Sequence, residues 1–526
     1  MSVPKRTGAA LAMLAAVAIL NGCGGGGGGG GGAPFASALP AAAAVNEPIV
    51  ASASVAGQCA APRMGMGADI GAAFPDTAGS FDSEKSWVRA WIDETYLWFD
   101  EVPATLAAKD YATPISYFNV LKTPQLTASG RPKDRFHFTQ NTASYRALSQ
   151  QGIEVGYGAE FAFLSATAPR DIRVAFTEPG SPAAQASLGR GTRLVEIDGV
   201  DVVSGTDTAK LNAGLVPARE GEAHQFKLRA PDGSERTLTL TAARINRTPV
   251  QNVKTIATAG GPVGYMLFND HLATAEAPLI AAVDQLKAAG IVDLVIDMRY
   301  NGGGLLDIAS ELAAMVSSGG VTGGAVFERL RFNAKNPFGL VPAQTALPFH
   351  ATSRGLSTPA GQPLPRLGLS RVTVLAGPDT CSASESVINS LRGVGVTVNL
   401  VGGTTCGKPY GFFPQDNCGT TYFAIQFQGV NQQGFGDYGD GFAPTCAVPD
   451  DFGHALGDPA EARLAAALTL QGGGACPAPS RSGKADDTVR RKAEADGQPY
   501  LVRAPQRENR LLSRWKSFLP AAGPRR

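Results

Sequence analysis

Three short segments in the second half of this 526-residue chain carry residue types able to do acyl chemistry. The first, Asp297-Met298-Arg299-Tyr300-Asn301-Gly302-Gly303-Gly304, follows an apolar run and precedes a helical pattern. Glycines at such a turn leave backbone N–H groups bare at a helix entry, where they can stabilise a developing anion. The second, Thr380-Cys381-Ser382-Ala383-Ser384-Glu385, again joins an apolar run to a helical pattern. It would present the Ser382 hydroxyl beside unpaired helix-start amides, as a nucleophile requires. The same letters also read as a plain helix cap with Ser382 or Ser384 at the N-cap, and Cys381 is a second nucleophile candidate. The third, Gly402 to Gly411, holds Lys408 among small or uncharged neighbours. A lysine stripped of water there loses its preference for the charged form and can take up a proton. Neither Walker A nor GxGxxG spacing occurs, so the glycine turns do not read as a nucleotide site.

In this order the three segments resemble the C-terminal processing, or tail-specific, serine peptidase family. Its core reads D-hydrophobic-R-x-N-P-G-G, then S-A-S-E, then G-x-x-T-x-G-K-G. Gly302 stands in the proline position and Pro409 in place of the last glycine. The resemblance covers about residues 80 to 470. It implies Ser382 as nucleophile and Lys408, 26 residues further on, as general base. The implied oxyanion hole is the N–H of Ala383 with one N–H from Gly302 to Gly304, Gly303 in first place. The family's positions for a third polar residue hold Gly393 and Phe412, which leaves a Ser/Lys dyad. Neither a metal nor an organic cofactor is implied. The rival reading is a catalytically inactive PDZ-containing peptide-binding lipoprotein, and a third is a lipoprotein that binds small molecules.

These segments need a frame of alternating strands and helices. Val263–Phe268, Val292–Asp297, Val372–Ala376 and Val396–Val401 read as strands, and Ala277–Ala289, Leu305–Val316 and Ser384–Leu391 as helices. That alternation predicts an α/β core with parallel crossovers over residues 250–472. Upstream, Ile172–Phe176, Arg193–Ile197, Phe226–Arg229 and Thr237–Leu240 predict a small β domain over 151–245. The helix entry around Ser181-Pro182-Ala183 and the strand ending at Asp198-Gly199 resemble a PDZ domain. By that resemblance Gly156, Tyr157, Gly158 and Ala159 form the carboxylate-binding loop, with Phe161 on the adjoining strand. Trp87, Trp91, Ile92, Tyr96 and Trp98 recur near the helical period and predict a small helical region over 80–150. The expected fold class is therefore multidomain α/β: a small N-terminal helical region, a PDZ-like β domain, and an α/β peptidase core.

Composition bounds the compartment. Net charge of +1 with 17% charged residues argues against a dedicated nucleic-acid binder. Residues 1–23 pair Lys5 and Arg6 with an apolar run shorter than the roughly 20 residues that span a bilayer, and end at Cys23. This resembles a bacterial lipoprotein signal, implying lipidation of Cys23 and anchorage in the cell envelope, at the outer membrane facing the periplasm or at the cell surface. Gly24 to Gly32 opens a flexible tether expected to run to residue 79. The other six cysteines, Cys59, Cys381, Cys406, Cys418, Cys446 and Cys476, allow up to three disulfides with 15 pairings. A metal site using Cys406 and Cys418 is the lesser alternative, because no CxxC pair occurs and the histidines are scattered. Residues 473–526 read as a basic, disordered tail: from Arg481 on, 12 Lys and Arg face 5 Asp and Glu. Within it Leu511, Leu512, Trp515 and Phe518 suggest a short amphipathic helix at an interface. The expected partners are polypeptides with apolar C-termini and a membrane through the lipid anchor, with no nucleic acid.

Overall fold

In a computed structural model of the chain, residues 49–67, 70–478 and 510–512 are described. Cys23, the signal and the glycine run lie outside the described residues, as does the tail apart from Arg510–Leu512.

The core is a six-stranded sheet whose strands lie side by side in chain order. They are β1 (Val250–Thr258), β2 (Gly261–Phe268), β3 (Asp293–Asp297), β4 (Arg371–Ala376), β5 (Thr397–Gly402) and β6 (Cys446–Ala447). β1 pairs antiparallel with β2, and the four pairings from β2 to β6 are parallel. Helices α1 (Glu276–Ala288), α2 (Leu306–Val316) and α3 (Ala383–Gly393) form the crossovers, and α4 (Ala462–Gln471) follows β6. Right-handed crossovers between strands laid down in one direction stack their helices on one face. Met266, Phe268, Leu294, Ile296, Val374 and Leu400 pack with these helices, while Tyr265, Leu267, Val295, Leu375 and Val401 pack with Leu464 and Ala467 of α4. The period-2 alternation thus buries both faces of the sheet, which is why its strands read as continuous apolar runs.

The predicted strands and helices of the core all form, with ends shifted by a residue or two. So do those of the β domain, where the strand predicted from Phe226 starts three residues earlier at Ala223, and whose sheet places Ala159–Ser165 at one edge. This domain meets the core through Ala162, Ala175 and Phe176, which pack with Val263, Tyr265 and Phe452. Arg190 adds hydrogen bonds to Asp450 at 2.6 Å and to the Tyr300 hydroxyl at 2.7 Å.

In the N-terminal region the helix Phe81–Thr95 stacks Trp87 on Trp91 at 5.5 Å, and both rings lie against Tyr422. Phe138–Asn141 pairs with the hairpin Gln415–Phe423, joining this region to the lysine-bearing half of the core.

Two expectations change. The tether does not extend to residue 79: the segment from Ile49 folds onto the body. Ser52 is bonded to Glu94, Arg63 is paired with Asp76, and Cys59 is bridged to Cys418. Arg510–Leu512 is a strand and not part of a helix, because its backbone finds a partner strand in Gly303–Leu305. The six cysteines form three disulfides, Cys59–Cys418, Cys381–Cys406 and Cys446–Cys476. Cys406 and Cys418 therefore sit in different bridges.

Candidate active site

The three glycine- or serine-bearing turns leave the C-terminal ends of β3, β4 and β5. Because these strands are neighbours in the sheet, turns far apart in sequence emerge side by side. Their contacts are mutual. Met298 N–H donates to Leu375 O at 3.0 Å, Thr380 Oγ1 to Met298 O at 2.9 Å, and Cys381 N–H to Asn301 O at 3.1 Å. Ser384 Oγ also donates to Asn301 O at 3.1 Å, and Cys406 N–H to Thr380 O at 3.1 Å. The Cys381–Cys406 disulfide adds a covalent tie between the second and third turns.

Ser382 occupies the residue before α3 with φ 62° and ψ −117°. Such a left-handed conformation is strained for a side-chain-bearing residue and is held by its surroundings. The hydroxyl makes no cap hydrogen bond: Ser382 Oγ is buried without a partner. The cap reading of this motif therefore fails for the hydroxyl, and Glu385 does the tying instead. Its carboxylate accepts from Ser382 N–H at 3.0 Å, Thr405 Oγ1 at 2.5 Å, Gly407 N–H at 2.8 Å and Lys408 N–H at 2.8 Å. One side chain from the serine helix thus fixes the backbone of both the serine and the lysine. Burial pushes the Glu385 carboxyl up against the pull of these bonds.

Lys408 is 1% exposed, and its ammonium nitrogen has no hydrogen-bond partner. It lies 4.3 Å from the Phe412 ring centroid and 4.9 Å from that of Phe136. Desolvation dominates there and lowers its pKa to about 7, opposed by the charges of Asp134 and Glu385 and assisted by Arg135. Asp134 is fully buried, bonded to the Tyr96 hydroxyl at 2.6 Å, to Phe136 N–H at 3.0 Å and to His137 Nδ1 at 3.2 Å. Arg135 donates to the carbonyls of Cys406 and Gly407. Residues 134–137 of the N-terminal region therefore roof the lysine. Gly393 and Phe412, where the family's third polar residue would stand, supply only backbone and an aromatic ring.

In the first turn, Gly303 N–H already donates to Asn301 Oδ1 at 2.9 Å, and His271 Nδ1 shares that oxygen at 3.0 Å. Gly303 is thus not a bare donor as expected. Among the described residues no hydrogen bond engages Gly302 N–H, and Ala383 N–H is the first amide of α3, with no acceptor inside the helix. His271 is fully buried with its pKa lowered by burial to about 3, and its Nε2 has no partner. Asp134, Phe136 and His271 carried no local signal of proximity in the sequence, since each arrives from a distant segment.

Elsewhere, Gly156 closes a strand paired with Ala243, and Ala159 opens the strand paired with Thr177. Between them Tyr157 is buried against Phe226, and Gly158 takes φ 73° with its carbonyl bonded to Glu178 N–H. Phe161 is half-buried. Cys381, Cys406 and Glu385 lie close enough to hold a metal ion, but both sulfurs are spent in the disulfide.

Residues 262–416 match the domain called Peptidase family S41, and residues 83–138 match the Peptidase S41 N-terminal domain. A carboxyl-terminal-processing protease of Picosynechococcus sp. is 28% identical over 263 residues, covering 50% of this chain and 54% of that protein. A chloroplastic C-terminal processing peptidase of Tetradesmus obliquus is 28% identical over 250 residues, covering 45% and 50%. The chain therefore spans about half the length of the curated relatives it matches. Among solved structures, a Bacteroides fragilis protein assigned to the S41 proteases superposes with a TM-score of 0.56 at 22% identity. That match covers 74% of this chain and 97% of the other.

Proposed function

Since the chain belongs to peptidase family S41, we propose that it is a serine endopeptidase working through a Ser382/Lys408 dyad. The observation that carries this reading is that two buried polar atoms have no hydrogen-bond partner, Ser382 Oγ and Lys408 Nζ, and that their turns are adjacent and laced together by Glu385. Neutral Lys408 takes the Ser382 proton as Oγ attacks a peptide carbonyl, and returns it to the leaving amine. Water then resolves the acyl-enzyme with Lys408 again as base. The tetrahedral oxyanion is met by the N–H of Ala383 and, with Gly303 engaged by Asn301, by that of Gly302. Asp134 serves as the charge that biases the lysine in place of a third polar residue on the core.

The substrates in this reading are extended or misfolded envelope polypeptides with apolar C-termini. They are gathered by the β domain acting as a PDZ domain, whose sheet has Ala159–Ser165 as an edge strand. Cys23 supplies the lipid anchor. The test is digestion of casein by the wild type, Ser382→Ala and Lys408→Ala, with folding checked by circular dichroism. Both variants should fold and lose cleavage. Full activity in either would remove the dyad, and an inactive wild type that still binds C-terminal peptides would favour the non-catalytic peptide-binding alternative.

A further inference from the structure

Gly303–Leu305 is a strand of only three residues, yet it is flanked on both sides. On one side lies His271: its N–H donates to Gly303 O at 3.2 Å, and its carbonyl accepts from Leu305 N–H at 2.8 Å. Successive residues of a strand turn their N–H and C=O groups to opposite edges, so the backbone of Gly304 faces the other way. There Arg510–Leu512 pairs in parallel, with Gly303 opposite Arg510, Gly304 opposite Leu511 and Leu305 opposite Leu512. The same turn carries Asn301, whose carbonyl accepts from Cys381 N–H and Ser384 Oγ on either side of Ser382. The strand Gly303–Leu305 therefore lies against the start of the helix that follows Ser382. Gly304 is itself required by the other flank: it has φ 144°, and a Cβ there would lie 2.4 Å from His271 O.

We propose that the outward edge of Gly304 is the strand-pairing site for an extended polypeptide and that the chain's own Arg510–Leu512 segment occupies it as an intramolecular competitor of substrate. The inference rests on the peptidase reading for what is inhibited, and on backbone pairing alone for what is bound. A three-residue ladder is weak by itself, since isolated short strand pairs are marginal in water. Tethering compensates, because a covalently linked segment acts at an effective concentration on the order of millimolar. The sequence from Asn509 to Phe518 suits a mimic of apolar substrates: it holds Leu511, Leu512, Trp515 and Phe518 with no acidic residue and no proline.

The test removes residues 506–526 and, separately, installs Leu512→Pro in the full chain, which deletes the N–H that a parallel ladder directs at Gly304 O. Both should raise kcat/KM for casein about fivefold, the factor expected if the edge is about four-fifths occupied. A labelled peptide of residues 507–518 should bind the truncated Ser382→Ala protein by fluorescence anisotropy, bind full-length Ser382→Ala more weakly, and raise KM without changing kcat in the truncated enzyme. Unchanged kcat/KM in both altered proteins, or peptide binding equal with and without the tail, would overturn the proposal. If no form cleaves casein, the peptidase reading falls, and the anisotropy comparison alone decides whether the edge binds the tail.

Discussion

Two cations lie fully buried at the C-terminal end of the same sheet, and the protein treats them in opposite ways. Arg299, in the turn after β3, is bonded by Asp297 through Nε and Nη2, each at 2.9 Å, and by Glu461 through Nη1 at 2.8 Å and Nη2 at 2.9 Å. Asp450 adds a contact to Nη1 at 2.7 Å. These carboxylates more than offset the cost of burial and hold the guanidinium well above its ordinary pKa. Lys408, in the turn after β5, has aromatic rings in place of carboxylates and no hydrogen-bond partner for Nζ, and burial pulls it down to about 7. Equal depth with unequal solvation by the protein yields a fixed strut in one case and a group ready to exchange a proton in the other.

The sharpest way to break this contrast is Lys408→Ala, which should cost about 10³- to 10⁴-fold in kcat/KM on casein. The unfolding free energy should not fall with it. A lysine whose folded pKa lies below its unfolded value weakens the fold at neutral pH, and its contribution improves as pH rises from about 7 toward the ordinary lysine range, where the unfolded chain still holds the proton. Lys408→Met should therefore resist urea at pH 7 at least as well as the wild type. Arg299→Met should do the reverse, losing about 3–5 kcal/mol in urea unfolding because buried carboxylates are left unpaired.

Next comes the Cys381→Ser, Cys406→Ser double variant. Opening the 25-residue separation should lower stability by about 3 kcal/mol and reduce turnover by loosening the two turns against each other. The smallest expected effect is on pH dependence. The wild-type kcat/KM should rise through a midpoint about pH 7 as Lys408 loses its proton, and Asp134→Asn should move that midpoint lower, since Asp134 favours the charged lysine. A pH-independent rate across 6 to 8.5 would separate activity from Lys408.

The division between what the sequence disclosed and what it hid follows the range of the signal. Ser382, Glu385, Lys408 and the glycine turn each sit in a short local pattern, and the apolar runs before them were readable as buried parallel strands, so the core and the neighbourhood of its three turns were legible. The bond from Glu385 to the lysine backbone was not, because it depends on two turns meeting across β4 and β5. Asp134, Phe136 and His271 were hidden for the same reason, and the expectation for Gly303 overlooked Asn301, whose side chain competes for that amide. Short strands such as Tyr410–Gly411 and Phe427–Val430 lack the length that makes alternation visible. Arg510–Leu512 was read as helical from apolar spacing, whereas a waiting backbone edge decided otherwise.

The Phe136 ring over Lys408 belongs to a part of the chain that any partition by sequence assigns to another domain. A fragment cut to residues 250–472 would keep Ser382, Lys408 and every residue of the three turns, yet would lose the Phe136 ring and the Asp134 and Arg135 charges that act on the ammonium group. The boundary between helical region and core is thus a boundary in sequence only. Grafting this core under a different N-terminal region would shift the pH at which Lys408 gives up its proton without touching Ser382 or Lys408.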